Sequence, residues 1–391
     1  MQGLLGPTWI EINLDAIAQN VRNIKKLIGK KTELMAVVKG NAYGHDDIEV
    51  SSVVLANGAT RLAVNRLEEG IALRKAGFTA PILVLGLTLK EQAESLVLYH
   101  LTPTVADLEM TEKLSVSAIQ MNKISKIHLK VDTGMGRIGI FPSEVLAFIK
   151  RVKLLKNVEI EGIFTHFSVA EEKDKSYTED QFRKFKEVLL ALEREGINIP
   201  VKHVSNSAAL FDLPQMWLDL VRPGIAVYGL YPSAEVRKTV DLIPAQEFKT
   251  KIVFLKELPV GESLGYGRSY ITKKRTLVAT LPVGYADGYN RLLSNQGEVL
   301  VRGRRVPIIG RIGMDQCMID VTSLPSIEVG DEVVLWGRQG NNVITVEEIA
   351  RKLGTINYEI VHMPDKKGVP KLFIKKGRPW KIKTRLEERL L

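Results

Sequence analysis

The chain reads as an α/β protein, an amino-terminal (β/α)8 barrel of the TIM type followed by a mostly antiparallel β domain. Two rhythms in the sequence predict this. Through about residue 240, short apolar runs alternate with amphipathic segments about eight times, as parallel strands wrapped by helices would. After about Pro244 the runs become short and β-rich, separated by Gly, Pro and Asn turns. Length agrees, because 391 residues exceed what one ordinary core holds.

The expected barrel strands, in order, are Leu34–Val38, Leu62–Val64, Ile82–Leu85, Thr102–Val105, Ile127–Val131, Gly162–Thr165, Val201–Val204 and Leu220–Arg222. Helical patterns lie between them. Asp15–Ile28 is stopped by Gly29 and Ser176–Glu195 by Gly196, with Asp15 and Ser176 placed to cap. A doubly wound open sheet is the alternative, weakened by the absence of a GxGxxG turn after the first strand. The second domain shows strand-like runs at Lys249–Leu255, Thr276–Leu281, Val299–Arg302, Val306–Ile309, Cys317–Val321 and Glu332–Trp336, and Thr8–Ile12 is strand-like too. The division is therefore residues 10–240 for the barrel and 241–391 for the β domain, ending in a basic tail from about 375.

Composition suits a soluble cytoplasmic enzyme. No window approaches an uninterrupted membrane-spanning length, and the first residues lack the basic flank and apolar run of a signal peptide. The single cysteine, Cys317, cannot form an internal disulfide, and its neighbours mark it as a core residue. A net charge of +10 invites a nucleic-acid reading, but ten Lys or Arg against two Glu fall between Lys366 and Arg389. The remainder is nearly balanced, so a solvated tail explains the charge and no nucleic-acid partner is expected. The six histidines, at 45, 100, 128, 166, 203 and 362, show no paired ligand spacing, so no metal is expected.

Lys39 is the most informative residue. It closes the apolar run Leu34–Val38 and opens Gly40-Asn41-Ala42-Tyr43-Gly44. A buried lysine loses its charge readily, and a neutral amine condenses with an aldehyde. A solvated lysine at a strand end fits these residues equally well.

The stretch Ala36–His45 resembles the cofactor-lysine segment of the alanine racemases. Asp132–Arg137, Arg222–Gly229, Gly265–Arg268, Gly284–Gly288 and Arg311–Gln316 resemble further blocks of that family, in family order, over about Trp9 to Phe373. The resemblance implies a pyridoxal 5'-phosphate-dependent amino-acid racemase that interconverts L- and D-alanine for cell-wall precursors. It implies a homodimer whose active site is shared between subunits, and it assigns the amino-terminal strand to the second domain.

It also carries residue roles. Lys39 and Tyr266 become the two bases, Tyr266 serving L-alanine and Lys39 serving D-alanine. The cofactor contacts become Lys39, Tyr43, His166, Asn206, Ser207, Arg222, Gly224, Ile225 and Tyr358. A Ser207 hydroxyl at a helix start and close-approaching amides near Gly224 suit a phosphate. Substrate contacts become Arg137, Met314 and Asp315, and Lys130 matches a lysine that the family often carries as a carbamate.

The chemistry behind these roles is general. An α-hydrogen is too weakly acidic for a protein base unless the carbanion is delocalised, which pyridoxal phosphate permits. Drawing a tyrosine from about 10 toward 7 needs roughly 4 kcal/mol of preference for the phenolate. Arg137 and the His166–Arg222 pair are the expected sources. Arg222 facing the ring nitrogen donates only, which keeps that nitrogen unprotonated and disfavours transamination. Gly313 departs from the family, where many relatives carry Cys or Ser, and a wider pocket would admit serine slowly. Two other readings stand beside this one: a broad-specificity racemase on the same scaffold, and a non-catalytic pyridoxal-phosphate-binding protein. The second domain speaks against the latter.

Overall fold

The computed structural model describes residues 5–384 and 388–390. They form two compact units. One comprises Ala16–Ala42 and Asp46–Ile243; the other holds the described parts of Met1–Asp15 and Pro244–Leu391 together with Tyr43–His45.

The chain opens with strand β1 (Thr8–Asn13), which leads into a helix over Leu14–Ile28. The first unit then contains eight parallel strands: β2 (Glu33–Val37), β3 (Arg61–Val64), β4 (Ile82–Val84), β5 (Thr102–Val105), β6 (Ser125–Lys130), β7 (Val158–Phe164), β8 (Val201–His203) and β9 (Leu220–Val221). They run in the order β8-β7-β6-β5-β4-β3-β2-β9. The ends of this sheet meet through Asp219 N–H to Lys202 O at 3.1 Å and Arg222 N–H to Ser205 O at 3.0 Å, which closes a barrel. Strands covered on both faces favour continuous apolar runs over alternation, as in β4 (Ile82-Leu83-Val84), and β5 is likewise buried at every residue although two of its four residues are threonines. Strand β7 starts four residues before its expected start at Gly162, because Val158-Glu159-Ile160 pair with β6 while remaining partly exposed.

The expected helix stops hold: Gly29 and Gly196 take the left-handed conformation at φ 72° and 68°. The expected caps do not. Asp15 lies inside the first turn, and its carboxylate accepts the Gly377 N–H at 2.9 Å. Ser176 is the first helical residue, and its own N–H is taken by Asp174 Oδ1 at 2.9 Å.

The second unit adds β10 (Gln246–Lys251), β11 (Phe254–Leu258), β12 (Ser263–Leu264), β13 (Tyr270–Ile271), β14 (Thr276–Leu281), β15 (Glu298–Val301), β16 (Arg304–Pro307), β17 (Cys317–Asp320), β18 (Glu332–Gln339), β19 (Asn342–Ile344), β20 (Lys371–Lys375), β21 (Arg378–Lys383) and β22 (Glu388–Leu390). One sheet runs β16-β15-β18-β10-β1-β20-β21-β22 with β19 beside β18, and β11-β14-β17 and β12-β13 form smaller sheets. Strand β1 pairs antiparallel with β10 and parallel with β20.

Three expectations are corrected here. The run Lys249–Leu255 is two strands, because Ile252 N–H bonds Asp331 O in one direction and Val253 N–H bonds Thr280 O in the other, switching the chain between sheets. Two helices, Val346–Leu353 and Asn357–Lys366, interrupt the β pattern. The stretch from 375 is not simply a solvated tail: β21 pairs with β20, Lys381 is buried, and Lys375 Nζ lies 4.2 Å from the Trp380 ring centroid. Residues 385–387 and 391 of that stretch lie outside the described residues.

Candidate active site

In the barrel unit the sequence-predicted residues share one end. Lys39 follows β2, Lys130 ends β6, and Arg137 lies in the loop beyond it. His166 follows β7, Asn206 and Ser207 follow β8, and Arg222, Gly224 and Ile225 follow β9. Carboxyl ends of parallel barrel strands lie on the same face, so these side chains meet.

Their electrostatics show the convergence. Proton affinity at His166 falls well below the usual imidazole range, first through burial and then through Arg222, Lys130, Arg137 and Lys39. Burial draws the Lys39 amine below the usual lysine range; Arg137 lowers it further while Glu69 opposes. Lys130 is 1% exposed and drawn down to about 7 by burial and Arg222, with Asp132 opposing. Four basic groups thus crowd one imidazole, an arrangement that favours anionic ligands.

Local backbone explains how they are held. Gly40, Asn41, Ala42 and Tyr43 all have positive φ, between 52° and 62°, forming a left-handed turn directly after Lys39. Only Gly40 adopts this without penalty; each other residue costs about 1–2 kcal/mol. The Ala42 N–H returns to Val38 O at 2.8 Å and stitches the turn. Asp132 accepts from the N–H groups of Gly134, Met135 and Gly136 at 2.9–3.1 Å, which sets the loop carrying Arg137. These hydrogen bonds hold the Asp132 carboxyl below its ordinary range against the effect of burial.

Asn206, not Ser207, caps the helix Ser207–Asp212: its Oδ1 accepts from Ala208 and Ala209 N–H at 3.1 and 3.0 Å. Ser207 Oγ instead accepts the Gly224 N–H at 2.9 Å, which brings the β8 and β9 exits together and leaves the hydroxyl hydrogen as a donor.

Arg222 heads a buried network that spacing did not reveal. Its Nη1 donates to His203 Nδ1 at 2.7 Å, His203 Nε2 meets His128 Nδ1 at 2.8 Å, and His128 Nε2 meets Glu161 Oε2 at 3.1 Å. Glu161 also accepts from Arg61 at 2.9 Å, and its carboxyl is held down near 2, chiefly by His128. The other guanidinium nitrogen of Arg222 donates to Thr165 O, Val204 O and His166 Nδ1. Glu69 was also missed; its carboxylate accepts the Gly40 N–H at 2.6 Å. No sequence signal links these pairs, which lie on separate strands or helices.

The other unit holds Tyr43, Tyr266, Met314, Asp315 and Tyr358. Tyr43 and Tyr358 have ring centroids 6.0 Å apart. Tyr266 is 74% exposed, and it borders a cavity of about 410 Å³ with Gly265, Arg311, Gly313, Met314 and Asp315. Gly284 is required beneath this wall, since a Cβ there would fall 2.3 Å from Met314 O. A Cβ on Gly313 would lie 3.1 Å from Gln316 O and 3.7 Å from the Tyr266 ring, so its absence leaves room beside the phenol.

Comparison with known proteins decides the family. The model of the alanine racemase N-terminal domain matches residues 12–232, and that of the C-terminal domain matches residues 245–372. The chain belongs to the alanine racemase family. It is 52% identical over 355 residues to the alanine racemase of Halothermothrix orenii, covering 91% of this chain and 94% of that one. Among solved structures, the alanine racemase of Clostridium difficile 630 superposes with a TM-score of 0.92 at 40% identity, over 97% and 99% of the two chains. A histidine racemase from Leuconostoc mesenteroides is similar as well, with a TM-score of 0.86 at 28% identity over 96% and 100%. Membership makes the chain an amino-acid racemase, an isomerase. Among the described residues no group of His, Cys, Asp or Glu is placed to hold a metal ion, and no helix is long and apolar enough to cross a membrane.

Proposed function

We propose that the protein interconverts L- and D-alanine, with the eight-stranded barrel as the pyridoxal-phosphate domain and the amino-terminal strand β1 belonging to the β domain. The observation that carries this is the convergence of Lys39, Lys130, Arg137 and Arg222 on His166. The residues present suit the cofactor: an amine at Lys39 whose proton affinity burial lowers, a Ser207 hydroxyl that accepts from the Gly224 N–H and keeps its own hydrogen to donate, the adjoining Ile225, and a donor-only guanidinium at Arg222. When bound, pyridoxal phosphate supplies the electron sink that acidifies the α-hydrogen. Asn206, Tyr43 and Tyr358 complete its contacts.

The chain's own groups do the remaining work. Arg137, with Met314 and Asp315, takes the substrate carboxylate. The Lys39 amine removes or returns the α-proton on the D side, and the Tyr266 phenol does so on the L side. Two opposed bases let the planar carbon lose a proton from one face and regain it on the other. We place the two in one site through a cytoplasmic homodimer, each site taking Lys39 from one protomer and Tyr266 from its partner. Lys130, buried and about half uncharged at pH 7, is suited to add carbon dioxide, releasing one proton and becoming an anionic carbamate that the charges of Arg222 and Arg137 would favour.

Incubation of the purified protein with L-alanine, followed by chiral analysis, tests the activity. D-Alanine should approach an equal share, and Lys39→Ala should abolish it. The similarity to a histidine racemase and the open space at Gly313 favour one comparison: histidine and serine turned over faster than alanine would establish the broad-specificity reading.

A further inference from the structure

We infer that Glu69 is a positioning residue for Lys39, fixing through the Gly40 amide the left-handed turn from which the lysine departs. The inference rests on Lys39 being the amine proposed above. Glu69 sits in the first turn of the helix Leu67–Lys75, between the β3 exit and the Lys39 segment. Three backbone donors meet its two oxygens. Oε2 accepts from Asn65 N–H at 2.7 Å and Arg66 N–H at 2.9 Å, while Oε1 accepts from Gly40 N–H at 2.6 Å.

The first two bonds have an ordinary explanation. A glutamate three residues into a helix commonly reaches back to the amide before the first turn. Gly40 is different, because it belongs to another segment, 29 residues away, and to no part of that helix. The bond is short and charge-assisted, the stronger kind. It falls where the backbone is most strained, since Asn41, Ala42 and Tyr43 follow Gly40 at positive φ. Strain of this sort persists only where surroundings enforce it. Val38 O enforces it from inside the turn and Glu69 from outside. Released from Glu69, the turn would relax toward right-handed or extended backbone, swinging the Lys39 Cα–Cβ bond with it.

Charge acts in the same direction. Arg137 disfavours the protonated amine at Lys39 and Glu69 favours it, so the carboxylate also steadies the ammonium that forms when Lys39 takes a proton. Only an ionised carboxylate can do all of this. An amide in its place would present a donor to one of the two groups of N–H donors.

The wild-type protein provides the first test. The Gly40 amide should exchange with solvent deuterium far more slowly than exposed turn amides; exchange at the unprotected rate overturns the clamp without any variant. The second test uses Glu69→Gln holoenzyme and alanine deuterated at the α-carbon. Gly40 protection should fall, and α-deuterium release from D-alanine in a single turnover should slow roughly tenfold or more, as a displaced base would cause. Release from L-alanine should change much less. Equal slowing of both enantiomers, or no slowing despite lost Gly40 protection, would reduce Glu69 to a helix cap and overturn the inference. Wild-type protein that racemises no alanine would instead defeat the activity on which it rests.

Discussion

Arg222 Nη1 donates to His203 Nδ1 across 2.7 Å, and this one bond fixes the direction of a chain of buried hydrogen bonds. A guanidinium has no acceptor, so His203 Nδ1 must accept. His203 therefore carries its proton on Nε2 and donates to His128 Nδ1, and His128 in turn donates from Nε2 to Glu161. Both imidazoles are neutral, in keeping with proton affinities lowered mainly by burial. A cation at one end and a carboxylate at the other suit this order, and it holds Arg222 as a donor.

Histidine nitrogen NMR checks the assignment. Protein labelled with nitrogen-15 should show His128 and His203 as neutral tautomers protonated on Nε2 between pH 6 and 8. An imidazolium at either position at neutral pH, or a proton on Nδ1, would contradict the chain of donors.

The same two histidines make stability depend on pH. Folded proton affinities at His128 and His203 lie below the unfolded value of 6.5, so acid protonates the unfolded chain first. Their contribution is present above about pH 6.5 and is lost as pH falls below it. Each should remove about 1.4 kcal/mol per pH unit once the unfolded imidazole is fully protonated. Glu161 adds its own loss only between about 4.5 and 2, whereas His166 and His100, also lowered by burial, contribute between 6.5 and 5 as well, so the difference between wild type and His203→Gln isolates His203. Urea midpoints should fall across that range in wild type and fall less in His203→Gln. A flat profile would mean that the imidazoles accept protons in the folded protein.

Lys130 gives a prediction about carbon dioxide. Its amine, 1% exposed and drawn down to about 7, should be substantially uncharged in neutral buffer. Protein equilibrated with carbon-13 bicarbonate should show one carbamate resonance that Lys130→Arg lacks. If wild type and Lys130→Arg give identical spectra, Lys130 acts as a free amine.

How much of this was legible in the sequence depends on how local the signal is. A strand such as β4, Ile82-Leu83-Val84, is a continuous apolar run buried at every residue and announces itself that way, whereas β6, β7 and β8 carry Lys, His or Glu among their apolar residues and are marked less sharply. Lys39 and His166 were visible because each directly ends such a run. The Arg222-to-Glu161 network was not, because His128 and His203 are 75 residues apart and His128 and Glu161 are 33 apart. No periodicity connects groups on different strands. The helix Val346–Leu353 did carry a signal, Thr345 accepting from Glu348 N–H at the start and Gly354 at the end, but it lies within β-rich surroundings that mask it. The break in Lys249–Leu255 left no trace, since Ile252 and Val253 are good strand residues whose partners lie in two different sheets.

The shared site can be tested by complementation. Lys39→Ala and Tyr266→Phe proteins, each of low activity, are mixed, dissociated and reassembled. In a mixed dimer one site carries both lesions and the other none, so about a quarter of all sites should be intact after random pairing. Reassembly that restores nothing would mean that both groups of a site come from one chain.

The most direct test of two-base racemisation compares the hydrogen origin of each product in deuterium oxide. Wild-type protein should convert L-alanine to D-alanine carrying deuterium at the α-carbon, and D-alanine to L-alanine likewise. With Tyr266→Phe, single-turnover loss of the α-hydrogen should slow much more from L-alanine than from D-alanine. Equal slowing from both enantiomers, or product that keeps its original α-hydrogen throughout, would contradict separate roles for Lys39 and Tyr266.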